Sequence, residues 1–391
     1  MEQYLRRTWA EVELDAVAHN YHEIKQLAGD AECLCIVKAD AYGHGAVAVA
    51  RELYNCGARF FGVSNIEEAL QLREGGLSGQ ILILGYTPPE LADVLVVNDI
   101  TQTVFSAEYA AQLSSALRSR RLKVHIKLDT GMSRLGLTGG VEAQADAAAK
   151  ICSYSQLICE GIFTHFARAD EVEDSNEEIK ATALAQTEHQ FGLFSEITEL
   201  LKKRGIEFLH THCCNSAALL KFPQYKMNMV RPGLILYGVS PFANSSLIPA
   251  MSLKTVVSQT KELKQGASVS YGGTFVMPHD GRLAVLPCGY ADGFGRLLSG
   301  RAQLIINGRR INQIGNICMD MCMADITDTD IKEGDTAVII GRQGNETITA
   351  DDIAKLTGTI SYEVLCLVGK RVARVYLRNG EIVASSGLLG N

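Results

Sequence analysis

Lys38 stands between an apolar run, Cys33–Val37, and the glycine-flexed stretch Asp40-Ala41-Tyr42-Gly43-His44-Gly45. The run has the length and composition of a buried strand. His44–Cys56 then repeats Ala, Val, Leu and Tyr at helical spacing. In α/β folds the end of a buried strand is where sites are built, although a lone lysine there also reads as a solvated loop residue. Other reactive side chains fall at similar places. Lys127, Asp129 and Arg134 lie at or just beyond the end of Val124–Leu128, and His165 closes Gly161–His165. His212, Asn215 and Ser216 lie at or just beyond the end of Phe208–His212, and Arg231 ends Asn228–Arg231. Asn215-Ser216-Ala217-Ala218 and Arg231-Pro232-Gly233-Leu234 offer a hydroxyl at a helix start and N–H groups beside a glycine, the parts of an anion cradle or of an ordinary cap and turn. A strand-end lysine with a phosphate cradle suggests a Schiff base to pyridoxal phosphate. A competing set is His210 and His212 with Lys127 (once carbamylated), His165 and an aspartate, a metallohydrolase centre. That set leaves Lys38, Ser216 and Arg231 without a task.

The elements that must position these groups alternate. Strand-like Leu34–Val37, Phe60–Val63, Ile81–Leu84, Thr101–Phe105, Val124–Leu128, Gly161–His165, Phe208–His212 and Asn228–Arg231 are separated by helical patterns such as Ile66–Glu74, Pro89–Val97, Ala107–Ser119 and Ile179–Lys203. Leu14–Ala28 precedes them as an amphipathic helix stopped by Gly29. Eight such units over about 220 residues predict an α/β fold, a (β/α)8 barrel whose strand ends open on one face. The texture changes after Tyr237. Thr255–Thr260, Leu283–Pro287, Gln303–Ile306, Ala337–Ile340 and Val372–Leu377 are short β-rich runs punctuated by Asn307-Gly308 and Gly344-Asn345, with one helix at Ala350–Leu356. The expected domains are a barrel over 12–240 and a mostly β domain over 241–391.

Composition narrows the partners. The 391 residues carry a net charge of −7 with 21% charged side chains, and no basic block suits nucleic acid or an anionic membrane. No apolar run approaches the roughly 18 residues of a membrane span, and no signal-peptide core follows Met1–Trp9. The 11 cysteines, many inside apolar runs and none in a CxxC pair, suit free thiols in a reducing compartment, so the expected location is cytoplasmic.

The stretch Val-Lys-Ala-Asp-Ala-Tyr-Gly-His-Gly at 37–45 resembles the cofactor-lysine signature of the alanine racemase family. Lys127-Leu-Asp-Thr-Gly-Met-Ser-Arg134-Leu-Gly, Thr164-His165-Phe-Ala, Asn228-Met-Val-Arg231, Val269-Ser-Tyr271-Gly, Gly289-Tyr290-Ala-Asp-Gly, Ile317-Cys318-Met319-Asp320 and Ser361-Tyr362-Glu363 resemble that family in the same order. Cys213-Cys214 and Ala373, where the family usually has proline, depart from it outside these motifs. The resemblance implies a pyridoxal-phosphate barrel joined to a β-rich domain, with N-terminal residues 1–11 pairing with the latter. It implies that Lys38 holds the cofactor, that Tyr42, Ser216, Gly233, Leu234 and Tyr362 surround its phosphate, and that Arg231 contacts the pyridine nitrogen. It also implies that Arg134 and the Met319 backbone receive the substrate carboxylate. Asp320, next to Met319, reads as an orienting group or as an ordinary turn aspartate. The implied activity interconverts L- and D-alanine and supplies D-alanine for bacterial cell-wall peptidoglycan. The implied assembly is a homodimer with shared sites.

Racemisation removes a Cα proton from one face and delivers one to the other, so two acid–base groups must flank the cofactor. On the implied fold these are Lys38 and Tyr271. A phenol ionises near pH ~10, so a tyrosine base needs cationic or hydrogen-bonding help, for which His165 and Arg231 form a relay toward the ring. Arginine stays protonated and can only donate to the pyridine nitrogen; the weaker electron sink is expected to suppress side reactions, and glutamate at 231 to raise them. Lys127 would be repelled by Arg134 unless carbamylation, a modification that the resemblance suggests, reversed its sign. Rival readings are serine as substrate, which an apolar pocket separates poorly from alanine, a non-catalytic pyridoxal-phosphate carrier, and a fold-related decarboxylase. Tyr290 and Tyr362 would narrow the pocket toward alanine. No metal is expected.

Overall fold

The computed structural model describes residues 7–242 and 246–387. It divides into two compact units, one of Ala18–Ala41 and Val49–Ile248, the other of Met1–Val17, Tyr42–Ala48 and Pro249–Asn391. Strand β1 (Thr8–Glu13) opens the described chain and belongs to the second unit.

The first unit is a parallel barrel. Its strands are β2 (Glu32–Ile36), β3 (Phe60–Val63), β4 (Gln80–Ile83), β5 (Ile100–Val104), β6 (Leu122–Lys127), β7 (Leu157–Phe163), β8 (His210–His212) and β9 (Met229–Val230), in the spatial order β8-β7-β6-β5-β4-β3-β2-β9. Such strands are covered on both faces, which is why they read as apolar runs; Ile81, Ile83, Val104, Val124, Ile126 and Ile162 have no exposed surface. Helices return the chain between strands. Asn65, Ser106, Asn176 and Asn215 cap four of them, each side chain accepting from an N–H of the first turn. Between β8 and β9 no backbone ladder forms. The Asn228 carboxamide bridges there, donating to Leu209 O at 2.7 Å and accepting from Thr211 N–H at 2.7 Å. Arg231 N–H to Cys214 O (2.9 Å) completes the seam.

Two local expectations change. The helix expected from His44 begins at Ala46, because Ala39, Asp40, Ala41 and Tyr42 wind into a left-handed turn with φ of 52–54°. Val141–Cys152 forms a further helix, read past because alanines supply half of its buried face.

The second unit is mostly β, with strands β10 (Met251–Val256), β11 (Gln259–Leu263), β12 (Ser268–Val269), β13 (Phe275–Val276), β14 (Gly281–Leu286), β15 (Gln303–Ile306), β16 (Arg309–Ile314), β17 (Cys322–Asp325), β18 (Thr336–Gln343), β19 (Glu346–Ile348), β20 (Ala373–Arg378) and β21 (Glu381–Ser386). The main sheet runs β11-β14-β17-β16-β15-β18-β10-β1-β20-β21, with β19 on β18 and β12–β13 a separate pair. Strand β1 lies inside it, antiparallel to β10 and parallel to β20. Of the N-terminal segment expected to pair here, residues 1–6 lie outside the described residues. The single run expected at Thr255–Thr260 breaks in two. Val257 N–H turns to Asp335 O and Ser258 N–H to Val285 O, both at 2.9 Å. Asp292, with no exposed side-chain surface, locks this unit internally: Arg7 and Arg371 both pair with its carboxylate, which also accepts from Gly289 N–H at 3.0 Å.

Candidate functional site

Lys38 leaves the end of β2 on a backbone fixed from both sides. Val37 N–H reaches Gly62 O at 2.9 Å. The Glu68 carboxylate accepts from Ala39 N–H (2.7 Å) and Ser64 N–H (2.8 Å), tying the ends of β2 and β3 together. Nothing in the sequence marks Glu68, a surface helix glutamate by pattern. At the end of β6, Lys127 is 6% exposed, its ammonium position 4.5 Å from the centre of the Phe163 ring. Burial, then the cations of Arg231 and Arg134, hold it well below the ordinary lysine range, against the pull of Asp129. A buried lysine under this pressure favours the neutral, nucleophilic amine.

Asp129 is occupied structurally. One of its oxygens accepts from Gly131, Met132 and Ser133 N–H, each at 3.0 Å. This wraps the loop that carries the exposed Arg134, and the loop returns through Leu137 N–H to Lys127 O at 2.8 Å. Gly136 at φ 137° is required there, since a Cβ would lie 2.5 Å from Asp129 N.

Arg231, 4% exposed, is the hub of the barrel mouth. Its guanidinium donates to Thr164 O (2.7 Å), Cys213 O (2.9 Å), His212 Nδ1 (2.9 Å) and, at 3.3 Å, His165 Nδ1. Burial lowers it to about 10, so it remains a cation near neutrality. His165 is held well below its usual range, first by desolvation and then by Lys127, Arg231, Arg134 and Lys38, and stays neutral. The structure thus brings His165 and Arg231, two of the expected relay residues, into contact. Nearby, Ser216 Oγ accepts from Gly233 N–H at 2.9 Å, which leaves the serine hydrogen free to donate outward. Asn215 satisfies Ala218 N–H, leaving the N–H groups of Ser216 and Ala217 without intrahelical partners.

The metal-site reading fails on these contacts. Both His212 nitrogens are spent, Nδ1 on Arg231 and Nε2 on His125 at 2.9 Å. His210 instead packs edge-on against Phe60, with ring centres 5.0 Å apart. Among the described residues no group of three or more His, Cys, Asp or Glu side chains is placed to hold a metal ion.

The β-rich unit carries the remaining candidates on tight, anchored turns. Tyr271 is 70% exposed and follows Ser270, whose φ is 67°. Its carbonyl accepts from Asn316 Nδ2 at 2.7 Å, while Ser270 Oγ donates to Asn316 O at 2.6 Å. Met319, also exposed, accepts at its carbonyl from Ala291 N–H at 3.1 Å. Asp320 pairs with Arg371 at 2.8 Å, and Arg371 also reaches Met319 O at 3.4 Å; Arg371 was not singled out from the sequence. Tyr290 begins a short turn (Tyr290–Asp292) in the same region. The Tyr42 and Tyr362 rings lie 5.8 Å apart within this unit. Gly43 between them and Leu365 has no alternative, as a Cβ would sit 2.4 Å from Leu365 O.

Comparison with known proteins agrees with this arrangement. The family model for the alanine racemase N-terminal domain matches residues 12–241, and that for the C-terminal domain matches 250–376. The chain is 42% identical to an alanine racemase of Clostridium novyi and 44% identical to alanine racemase 1 of Clostridium acetobutylicum, with 98% of both chains covered in each case. The structure of alanine racemase from Bacillus anthracis with bound L-Ala-P superposes with a TM-score of 0.92 at 35% identity, covering 99% of each chain. A barrel with a strand-end lysine and a buried arginine hub, followed by a β-rich unit that carries the matching tyrosine and methionine turns, thus has relatives along its whole length: the chain belongs to the alanine racemase family of isomerases.

Proposed function

We propose that this protein interconverts L- and D-alanine by a two-base mechanism with pyridoxal phosphate as cofactor. The observation that carries the reading is the barrel mouth. There Lys38 follows β2, which pairs with β9, and Arg231 just past β9 carries a buried guanidinium whose hydrogen-bond partners are all neutral acceptors. The donors present suit an anionic, planar cofactor: the outward Ser216 hydroxyl, held by Gly233 N–H, the Leu234 N–H, and the cations of Arg134 and Arg231. Lys38 would hold the cofactor through its amine, Ser216, Gly233, Leu234, Tyr42 and Tyr362 its phosphate, and Arg231 its pyridine nitrogen. When bound, the cofactor supplies the electron sink that acidifies the substrate's Cα–H.

The Lys38 amine takes or returns that proton on one face. The Tyr271 hydroxyl does so on the other, supplied by a second copy of the chain in a homodimer. Neutral His165 accepts from Arg231 through Nδ1 and leaves its other nitrogen for the tyrosine. Arg134 and the Met319 backbone receive the carboxylate. Lys127, pressed toward the neutral amine, is the nucleophile for CO₂, and its carbamate would orient Arg134. Asp320 acts through its pair with Arg371, fixing the turn at Met319. Tyr290 and Tyr362 limit the side chain that fits.

No helix among the described residues is long and apolar enough to cross a membrane, and every cysteine in them is free. Both suit a cytoplasmic enzyme supplying D-alanine to the cell wall. The test is the decay of optical rotation of L-alanine, with L-serine in parallel and pyridoxal phosphate present. Decay to zero led by alanine supports the reading. Decay led by serine overturns the substrate, and no decay with either overturns the activity.

A further inference from the structure

Behind the barrel mouth lies a row of buried polar side chains that the proton transfers do not use. From Arg231 the row runs to His212 Nδ1 at 2.9 Å, and from His212 Nε2 to His125 Nδ1 at 2.9 Å. His125 Nε2 then faces Glu160 Oε1 at 3.9 Å, an electrostatic contact too long for a hydrogen bond. Thr101 Oγ1 donates to the same carboxylate oxygen at 3.0 Å. His212 is fully buried, His125 and Thr101 are 4% exposed and Glu160 9%.

Two features of β7 place Glu160 here. Val124 pairs with Cys159 but His125 pairs with Gly161, so Glu160 is the extra residue of a β-bulge. Bulges re-aim side chains. The next residue must be glycine, because a Cβ at 161 would lie 2.5 Å from the His125 ring. A displaced carboxylate and a missing side chain thus seat one imidazole.

The row has only one self-consistent direction. A guanidinium has no acceptor, so His212 Nδ1 must accept and its proton sits on Nε2. That proton occupies His125 Nδ1, which puts the His125 proton on Nε2, facing the carboxylate. We propose that Glu160 is a positioning residue for Arg231: acting through His125 and His212, it fixes both tautomers so that the guanidinium always meets an acceptor and keeps its orientation toward the cofactor ring. This rests on the reading that Arg231 meets the pyridine nitrogen. Among the described residues Arg231 makes no ion pair of its own; its hydrogen-bonded row ends at His125, which faces the Glu160 carboxylate electrostatically. Without Glu160, a His125 proton on Nδ1 would face the His212 Nε2 proton, and its relief would turn a donor toward Arg231.

The test is tautomer measurement in the holoenzyme labelled with 15N-histidine, using 15N–1H correlation spectra assigned by single histidine variants. Both His125 and His212 are expected as Nε2–H tautomers in the unaltered protein. In Glu160→Leu both should become mixed, the absorption of the bound cofactor should shift, and kcat should fall about tenfold with KM little changed. Thr101→Val, which releases the carboxylate without removing it, should shift the same tautomers less; it is the deciding variant if Glu160→Leu does not fold. An Nδ1–H tautomer at His212 in the unaltered protein, or unchanged tautomers in folded variants, would overturn the proposal. If the tautomers behave as stated but L-alanine is not racemised, the activity reading fails and the relay stands.

Discussion

His125 and His212 are buried where an imidazolium is disfavoured by desolvation and by the Arg231 cation. His125 is lowered to about 3 and His212 lies well below its ordinary range. Both shifts are downward, so the unfolded chain takes up protons first as the pH falls. The contribution is complete above the unfolded value of ~6.5 and is lost as the pH drops below it. Near pH ~5.5 the loss from each histidine is on the order of 1 kcal/mol. Urea unfolding of the protein at pH ~7.5 and ~5.5 should show this loss, and replacing both histidines with neutral residues should reduce it, His165 keeping its own share. Lys127 belongs to the same scale. Its depressed basicity predicts that 13C-bicarbonate gives a carbamate carbonyl resonance, absent in Lys127→Ala. Activity of that variant should fall by about 10² if the carbamate orients Arg134. A spectrum without that resonance in the unaltered protein excludes the modification.

The elements were legible where burial or turn chemistry leaves a mark. Apolar runs located the parallel strands, and strand-end logic gathered Lys38, Lys127, Arg134, His165 and Arg231 before any contact was visible. Glu68 and Glu160 were not legible. A glutamate on an exposed helix and one inside a strand look like solvent-facing noise until a tied loop or a bulge gives them a target. β16 was missed because Arg-Arg-Ile-Asn-Gln-Ile offers little β signal outside its neighbours. Tyr271 and Met319 entered only through family resemblance, since their turns carry no periodicity. The outer end of the seam between β8 and β9 is bridged by the Asn228 side chain. Asn228→Ala should cost about 1–3 kcal/mol for two unmade bonds. The change should appear as faster hydrogen exchange at Thr211 N–H, with β3 and β4 unaffected; equal exchange in both forms would show that the seam holds without it.

At the scale of the molecule, the proposed roles fall on two units with different grammars. In the barrel the candidates are lysines and arginines at strand ends. In the β-rich unit they are an exposed tyrosine and methionine on turns held by Asn316, Arg371 and Asp292. Tyr271 at 70% exposure suits a residue completed by a partner. Mixing inactive Lys38→Ala and Tyr271→Phe proteins should therefore restore about a quarter of the sites if each site takes its tyrosine from the other chain. No recovery after verified exchange of subunits would place both groups in one chain.

The turn at Ala39–Tyr42, with φ of 52–54°, is the mirror image of an ordinary helical turn. L-residues resist it by roughly 1–2 kcal/mol each, whereas a residue of opposite chirality would be at rest there. A semisynthetic chain with D-alanine at position 39 should melt higher than the natural one, and the same inversion in Leu14–Ala28 should lower the melting point. The segment beside Lys38 thus holds four consecutive left-handed residues: it would accept, as a building block, the enantiomer that the enzyme is proposed to make.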